Sequence, residues 1–298
     1  MSRLYHNICY NKIMNIQNRQ SLKEQFSSFC KRNNPKNMEI AVEFFTVFGG
    51  LDVTLNMDES LDKLIQKHIL KEYKFLRNDV SKLTTGDEKY HKLLSASALG
   101  DRRTNSSFKR ASFSFDDGMD LVEELRDKSF IKLERCTEDV YVSDKILFTA
   151  PFLRFWFAFI SPIFKSIRDK EYDEFFKIYN SRKAEFSNLV FSQLSHEFIK
   201  ETFSDDKIYN IGRYWDDDKE IDLVAKTKSG KKIVGLCKYT DKKLKKSELS
   251  KLKELSKDAK ISPDIFVLFA KKGYTSELKA LKSETTLLFT CRNFKVLV

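Results

Sequence analysis

The chain has 298 residues, 41% of them hydrophobic and 33% charged, which is enough apolar material for a full core and room for two compact domains. Its 26 Phe against 9 Gly and 4 Pro exclude collagen-like, mucin-like and disordered chains. A formal charge of +11 directs attention to anionic partners (nucleic acid, an acidic protein surface or a membrane face) without choosing among them.

Cys9, Cys30, Cys136, Cys237 and Cys291 are odd in number, far apart and free of any CxxC, so no disulfide framework is expected and a reducing cytoplasm fits. His6, His68, His91 and His196 are equally scattered, and zinc is not expected. No leader with a basic start, an apolar run and a small-residue cleavage site is recognisable, so secretion is not indicated. The apolar stretch 146–164 (ILFTAPFLRFWFAFISPIF) approaches the length of a bilayer span, but Pro151, Arg154 and Pro162 interrupt it. It reads as a buried aromatic helix, and a membrane is not an expected partner.

In chain order, residues 1–37 are rich in Asn, Gln and Lys and read as a weakly ordered lead-in with one helix near Ser21–Arg32. A domain over 38–162 begins with a Phe-rich helix at Ala41–Phe48. Leu61, Leu64, Ile65, Ile69 and Tyr73 recur at helical spacing across 60–76, and another helix covers about Lys89–Leu99, ended by Gly100. Asn105–Ala111, a helix at Asp116–Lys128 and two strand-like runs, Phe130–Arg135 and Asp139–Phe148, follow in the order of a winged helix. A second domain over 163–298 opens with helices to about Tyr179 and from about Ala184 to Phe203. Strands at Ile208–Trp215, Glu220–Thr227 and Ile233–Tyr239, a lysine-rich helix at 242–260, a strand at Asp264–Phe269, a helix at Ser276–Leu281 and a strand at Thr285–Cys291 complete it. The fold class is therefore α/β (α+β), a helical N-terminal part followed by a mixed sheet with flanking helices.

No GxxxxGK[ST], GxSxG or GxGxxG occurs, so ATP is not an expected cofactor. The informative segment is 211–239, IGRYWDDDKEIDLVAKTKSGKKIVGLCKY. A hairpin at Ser229-Gly230 brings Asp222 near Lys238, and an upstream helix offers Gln193, Glu197 and Glu201 on one stripe. A helix carboxylate, a strand Asp and a neighbouring Lys resemble a metal-dependent phosphodiesterase centre, in which carboxylates hold Mg²⁺ and the metal activates water.

The segments PFLRFWFAFISP (151–162), IGRYWDDDKEIDLVA (211–225), GLCKY (235–239) and FVLFAKKGYTSEL (266–278) together resemble the C-terminal module, a domain of unknown function, attached to archaeal-type AAA ATPases. The resemblance covers roughly Leu93 to Val298. It implies a winged helix followed by a restriction-endonuclease-like PD-(D/E)xK domain, and a separate ATPase as partner, since the motor part is missing here. Carried over by motif, Glu197, Asp222 and Lys238 take the catalytic positions, and Glu197, Glu201 and Asp222 are the candidate Mg²⁺ ligands. This sequence departs at Leu236, where the resemblance leads one to expect Glu, and Leu supplies no oxygen.

Three readings follow. The chain binds nucleic acid, DNA above all, with an incomplete catalytic set; or it cleaves DNA with Glu201 or Glu220 replacing the lost ligand; or it docks onto a protein partner. A structural alternative pairs Asp222 with Lys238 as an ion pair between strands. Residues 205–298 hold 22 Lys and Arg against 14 Asp and Glu, so most of the excess charge lies there. The candidate nucleic-acid contacts are Lys242, Lys243, Lys245 and Lys246 in that part, and Arg102, Arg103, Lys109 and Arg110 before the winged helix. The presumed recognition helix is acidic, through Asp116, Asp117, Asp120, Glu123, Glu124 and Asp127, which opposes insertion between phosphates. Arg154 is expected to cap or pair, and Trp156, Tyr214 and Trp215 to pack in cores.

Overall fold

The computed structural model describes residues 20–138 and 141–298; the lead-in before Gln20, with Cys9 and His6, and residues 139–140, where the strand expected over Asp139–Phe148 begins, lie outside the described residues, and that strand is confined to Lys145–Phe148. The chain divides into two compact units. The first comprises the described residues up to Lys36 with Glu43–Leu133 and Lys145–Lys183; the second comprises Asn37–Val42, Glu134–Asp144 and Ala184–Val298. The class is α/β: helices dominate the first part, and a five-stranded mixed sheet flanked by helices follows.

In the first unit, α1 (Leu22–Asn33) begins at Ser21, whose hydroxyl takes the Glu24 amide while the Glu24 carboxylate returns to the Ser21 amide. Phe26 and Phe29 of α1 pack on Phe45 of α2 (Met38–Phe48), with ring centroids 5.1 and 5.6 Å apart. The single helix expected over 60–76 is divided into α3 (Leu61–Ile65), a π-helical turn at Gln66–Leu70 and, after a break at residues 71–72, α4 (Tyr73–Leu83). The wider π turn re-phases the chain so that Ile69, Leu70 and Tyr73 all turn inward.

Next come α5 (Glu88–Ser97), α6 (Thr104–Ala111) and α7 (Phe115–Asp127), then a two-stranded sheet of β1 (Ile131–Glu134) and β2 (Lys145–Phe148). Gly118 lets α7 close on α6: a Cβ there would lie 2.5 Å from the Phe108 ring. The aromatic segment forms α8 (Pro151–Phe155), a second π turn (Trp156–Ile160), a 3-10 turn (Ser161–Ile163) and α9 (Phe164–Arg168). Trp156 is buried and stacks on Tyr73 at 5.7 Å. Buried Arg154 donates from Nε to the Ala98 carbonyl at 2.9 Å, which satisfies the C-terminus of α5. Among the described residues, no helix is long and apolar enough to cross a membrane.

Two helices were expected between 163 and 203, with an interruption near 180. The chain instead runs as one 30-residue helix, α10 (Asp173–Thr202), because no Gly or Pro breaks it. The second unit's sheet consists of β3 (Ile208–Trp215), β4 (Glu220–Thr227), β5 (Lys232–Lys238), β6 (Ile265–Ala270) and β7 (Thr286–Thr290), hydrogen-bonded in that order. β4 runs antiparallel to both its neighbours, β3 and β5, and β5, β6 and β7 are parallel. Between them lie α11 (Lys246–Asp258) and the short α12 (Ser276–Lys279).

Alternation along β5 separates the two faces. Val234 and Leu236 meet α11 through a core of Val224, Ile221, Tyr214, Leu252 and Ile261. Tyr239 meets Phe191 of α10, and Phe198 of α10 packs on Phe269 and Phe289. Burying leucines such as Leu249 and Leu252 stabilises the α11 side by about 1.5–3 kcal/mol each. Gly235 is required by its neighbour strand, since a Cβ there would sit 2.6 Å from Val267 Cγ2.

Candidate functional site

The β4–β5 ladder runs only as far as Leu223 opposite Gly235; beyond it the strands part. Asp222 lies in this fork. Its Oδ2 accepts the Cys237 amide at 2.8 Å, replacing the carbonyl that a continued ladder would have supplied. No ion pair joins it to Lys238 among the described residues, so the expected inter-strand pair is absent. Burial raises the Asp222 carboxyl above its ordinary range, against the Cys237 amide and the Arg213 charge, which pull it down.

Helix α10 presents Ser192 and His196 to this fork, one turn apart. His196 Nε2 lies 2.7 Å from the Asp222 carbonyl and Ser192 Oγ 3.4 Å from it. Since that carbonyl can only accept, the imidazole donates through Nε2. Burial, helped by the nearby Arg213 charge, depresses the His196 pKa to about 4, so the ring is neutral at pH 7. Arg213 of β3 is 1% exposed. It pairs with Glu134 Oε2 at 2.9 Å and donates to Ser192 Oγ at 3.2 Å. Burial opposes its charge, but Glu134, Glu220 and Asp222 outweigh that and raise its pKa. Cys237, beside them, is buried and its thiol is pushed strongly upward, which makes it a poor nucleophile. The result is a polar layer in which the Cys237 amide, the Asp222 carbonyl, the His196 Nε2 proton and the Arg213 guanidinium have partners within the protein.

Glu197 stands apart from this layer. Half-buried on α10, it pairs with Lys200 at 2.9 Å. Glu201 and Glu220 are exposed, and the Glu220 charge acts on Arg213 and Asp222. Leu236 packs into the α11 core, and half-buried Lys238 follows it on the same face at the end of β5. Among the described residues, no three His, Cys, Asp or Glu side chains gather as a metal site. A hard divalent cation wants several oxygens, and this set, with Leu236 in its middle and Glu197 tied elsewhere, does not fit one.

Residues 156–252 match a family model described as archaeal and bacterial proteins of unknown function. No curated protein and no solved structure matches the chain. The matched stretch contains the whole fork layer except Glu134: Ser192, His196, Arg213, Asp222 and Cys237 all lie within it.

The basic candidates separate clearly. Lys242, Lys243, Lys245 and Lys246 are all exposed, and no ion pair holds them among the described residues. Leu244, in their midst, bridges to Tyr274, with its amide on the Gly273 carbonyl at 2.9 Å. This lays the lysines beside the C-terminal ends of the parallel strands β5 and β6, where open α/β sheets bind ligands. Neighbouring Lys271 and Lys272 are neutralised by Asp241 and Glu39 at 2.9 and 2.7 Å. In the first unit Arg102 is only 7% exposed and Arg103 is partly buried, whereas Lys109 and Arg110 face solvent, Arg110 beside Asp101 at 3.4 Å.

Arg213 and His196 were missed by spacing arguments. An Arg alternating with the inward residues of an apolar strand was the available signal for the first; nothing marked the second.

Proposed function

We propose that the second unit binds nucleic acid without cutting it, on the scaffold of a PD-(D/E)xK-like fold. The observation that carries this reading is the contrast at the sheet's C-terminal edge: unpaired, exposed lysines gather there, while Glu197 is held by Lys200, Asp222 takes the Cys237 amide and Leu236 offers no oxygen. The order helix, three antiparallel strands, helix, strand, helix, strand supports the scaffold assignment. Phosphate contacts by Lys242, Lys243, Lys245 and Lys246 act without sequence information, so they bring general affinity rather than base readout.

A mobility-shift titration of duplex and single-stranded DNA tests it. Binding should be firm at ~50 mM salt and fall steeply as salt rises; a quadruple K242E/K243E/K245E/K246E variant should lose it and flatten the salt slope. Absence of binding at low salt, or equal binding by the variant, defeats the proposal. Cleavage with Mg²⁺ or Mn²⁺ that disappears in Asp222→Ala would instead favour an active enzyme.

A second reading applies to the first unit, taken as a winged helix. Asp116, Asp117, Asp120, Glu123, Glu124 and Asp127 of α7 are all exposed, and Phe115 beside them is 59% exposed. An acidic face with an apolar tip suits a cationic protein partner, a separate ATPase among them. Loss of pull-down on charge reversal at Glu123 and Glu124 tests this.

A further inference from the structure

The first unit contains a cavity of about 1080 Å³ between α4, the turn before it and the stretch from Ile167 to Tyr172. Its wall carries Lys71, Lys74, Arg77, Arg168 and Lys170, together with Tyr73, Phe75 and Tyr172, and no carboxylate. Arg168 is spoken for, held by Asp169 through both carboxylate oxygens at 2.8 and 3.1 Å. Lys71, Lys74 and Lys170 are exposed and, among the described residues, make no ion pair. Arg77 lies over the Phe164 ring at 5.8 Å, its charge unopposed by a carboxylate in the wall. Phe75, 43% exposed, offers an aromatic surface at the rim.

A second cavity of about 500 Å³ shares Tyr73, Arg77 and Ser81 with the first and ends at His91 and Trp156. The one carboxylate it contains, Glu88, is held by Lys92 at 3.0 Å. Two π-helical turns frame the region: Gln66–Leu70 enters the larger cavity, and Trp156–Ile160 supplies the ring that stacks on Tyr73. Such turns widen a helix locally and recur at functional sites.

Unopposed cations beside accessible aromatic surface, in a space large enough for a small ligand, match one chemistry: a planar base joined to a phosphate. We infer that this cavity is a nucleotide-unit site, in which Lys71, Lys74, Arg77 and Lys170 hold the phosphate and Phe75 and Tyr172 receive the base. The unit comes either as a free nucleotide or as part of a single strand. With no phosphate loop in the chain, recognition here rests on side chains, unlike the backbone cradle of a P-loop. The inference stands without the DNA reading of the second unit, because no residue of that unit takes part.

The test is calorimetric titration of the full chain carrying K242E/K243E/K245E/K246E, so that the lysines proposed to bind nucleic acid in the second unit cannot contribute. The probes are ADP, a short oligodeoxythymidylate and inorganic pyrophosphate. ADP or the oligonucleotide should bind at least about tenfold more tightly than pyrophosphate, and whichever binds better names the source. Lys74→Glu with Lys170→Glu should weaken that binding about tenfold or more at an unchanged melting temperature, and Phe75→Ala should narrow the margin over pyrophosphate. The inference is overturned if neither probe binds at about 1 mM, if pyrophosphate binds as well as the nucleotides, or if the charge-reversed chain binds like its parent.

Discussion

If Asp222 holds the fork of the sheet together and no cation, its two substitutions must diverge. Asp222→Ala removes the acceptor of the Cys237 amide, which then sits buried without a partner; the cost of such an orphan is about 1–3 kcal/mol. Asp222→Asn keeps an oxygen at the same place, so its cost at pH 7 should stay within about 1 kcal/mol. The comparison also depends on pH. Burial raises the folded-state pKa of Asp222, so between the unfolded and folded values the folded chain carries more proton than the unfolded one. Asp222 therefore favours folding most below its unfolded pKa and loses that contribution as pH rises through the folded value. Asn carries no such penalty, so Asp222→Asn should gain on the wild type from about pH 4 to pH 7. Urea unfolding at the two pH values measures this, and amide exchange at Cys237 reports the local bond. The reasoning is refuted if Asn destabilises as much as Ala at pH 7 with a difference indifferent to pH.

His196 should show the opposite linkage. Its pKa falls from 6.5 to about 4 on folding, so stability should drop as pH falls through that interval, by up to about 3 kcal/mol, and His196→Gln should flatten the drop. Gly235→Ala should cost about 1–3 kcal/mol, read from thermal unfolding, because the new methyl meets Val267 at 2.6 Å. Adding Mn²⁺ or Mg²⁺ should leave the wild-type melting temperature unchanged, whereas a site filled at ten times its Kd would add about 1.4 kcal/mol.

Much of the second unit could be read from the chain because its signals are local. Continuous apolar runs such as Phe266–Ala270 mark a strand buried on both faces, and Ser229-Gly230 marks the turn between β4 and β5. The lysine-rich helix was visible in the spacing of Leu249, Leu252 and Leu255. Continuity of α10 was harder to read, since a charged middle (Asn180–Lys183) looks like a loop although no residue in it breaks a helix. The π turns were illegible for a different reason: they preserve apolar periodicity on average while shifting its phase, as at Ile69 and Leu70. At the site, alternation placed Asp222, Leu236 and Lys238 near one another but said nothing of the fork. Which helix residue meets Asp222 depends on rotation about the α10 axis, and one residue's difference puts His196 inward and Glu197 outward.

That rotation and the aliphatic side chain at 236 support each other. Register extended from the Leu223–Gly235 pair puts position 236 across the fork from Asp222, so an acid there would set two carboxylates facing each other. Without a cation between them, such a pair cannot both ionise cheaply, and one would be driven to protonate. Leucine removes that conflict and adds apolar contact with the Tyr214, Ile221 and Val224 core at about 25 cal/mol per Å² buried. Asp222 is then free to satisfy the Cys237 amide, and Arg213 to balance Glu134. With leucine at 236 the fork needs no cation for its stability, while the lysines at the strand ends keep their charge exposed.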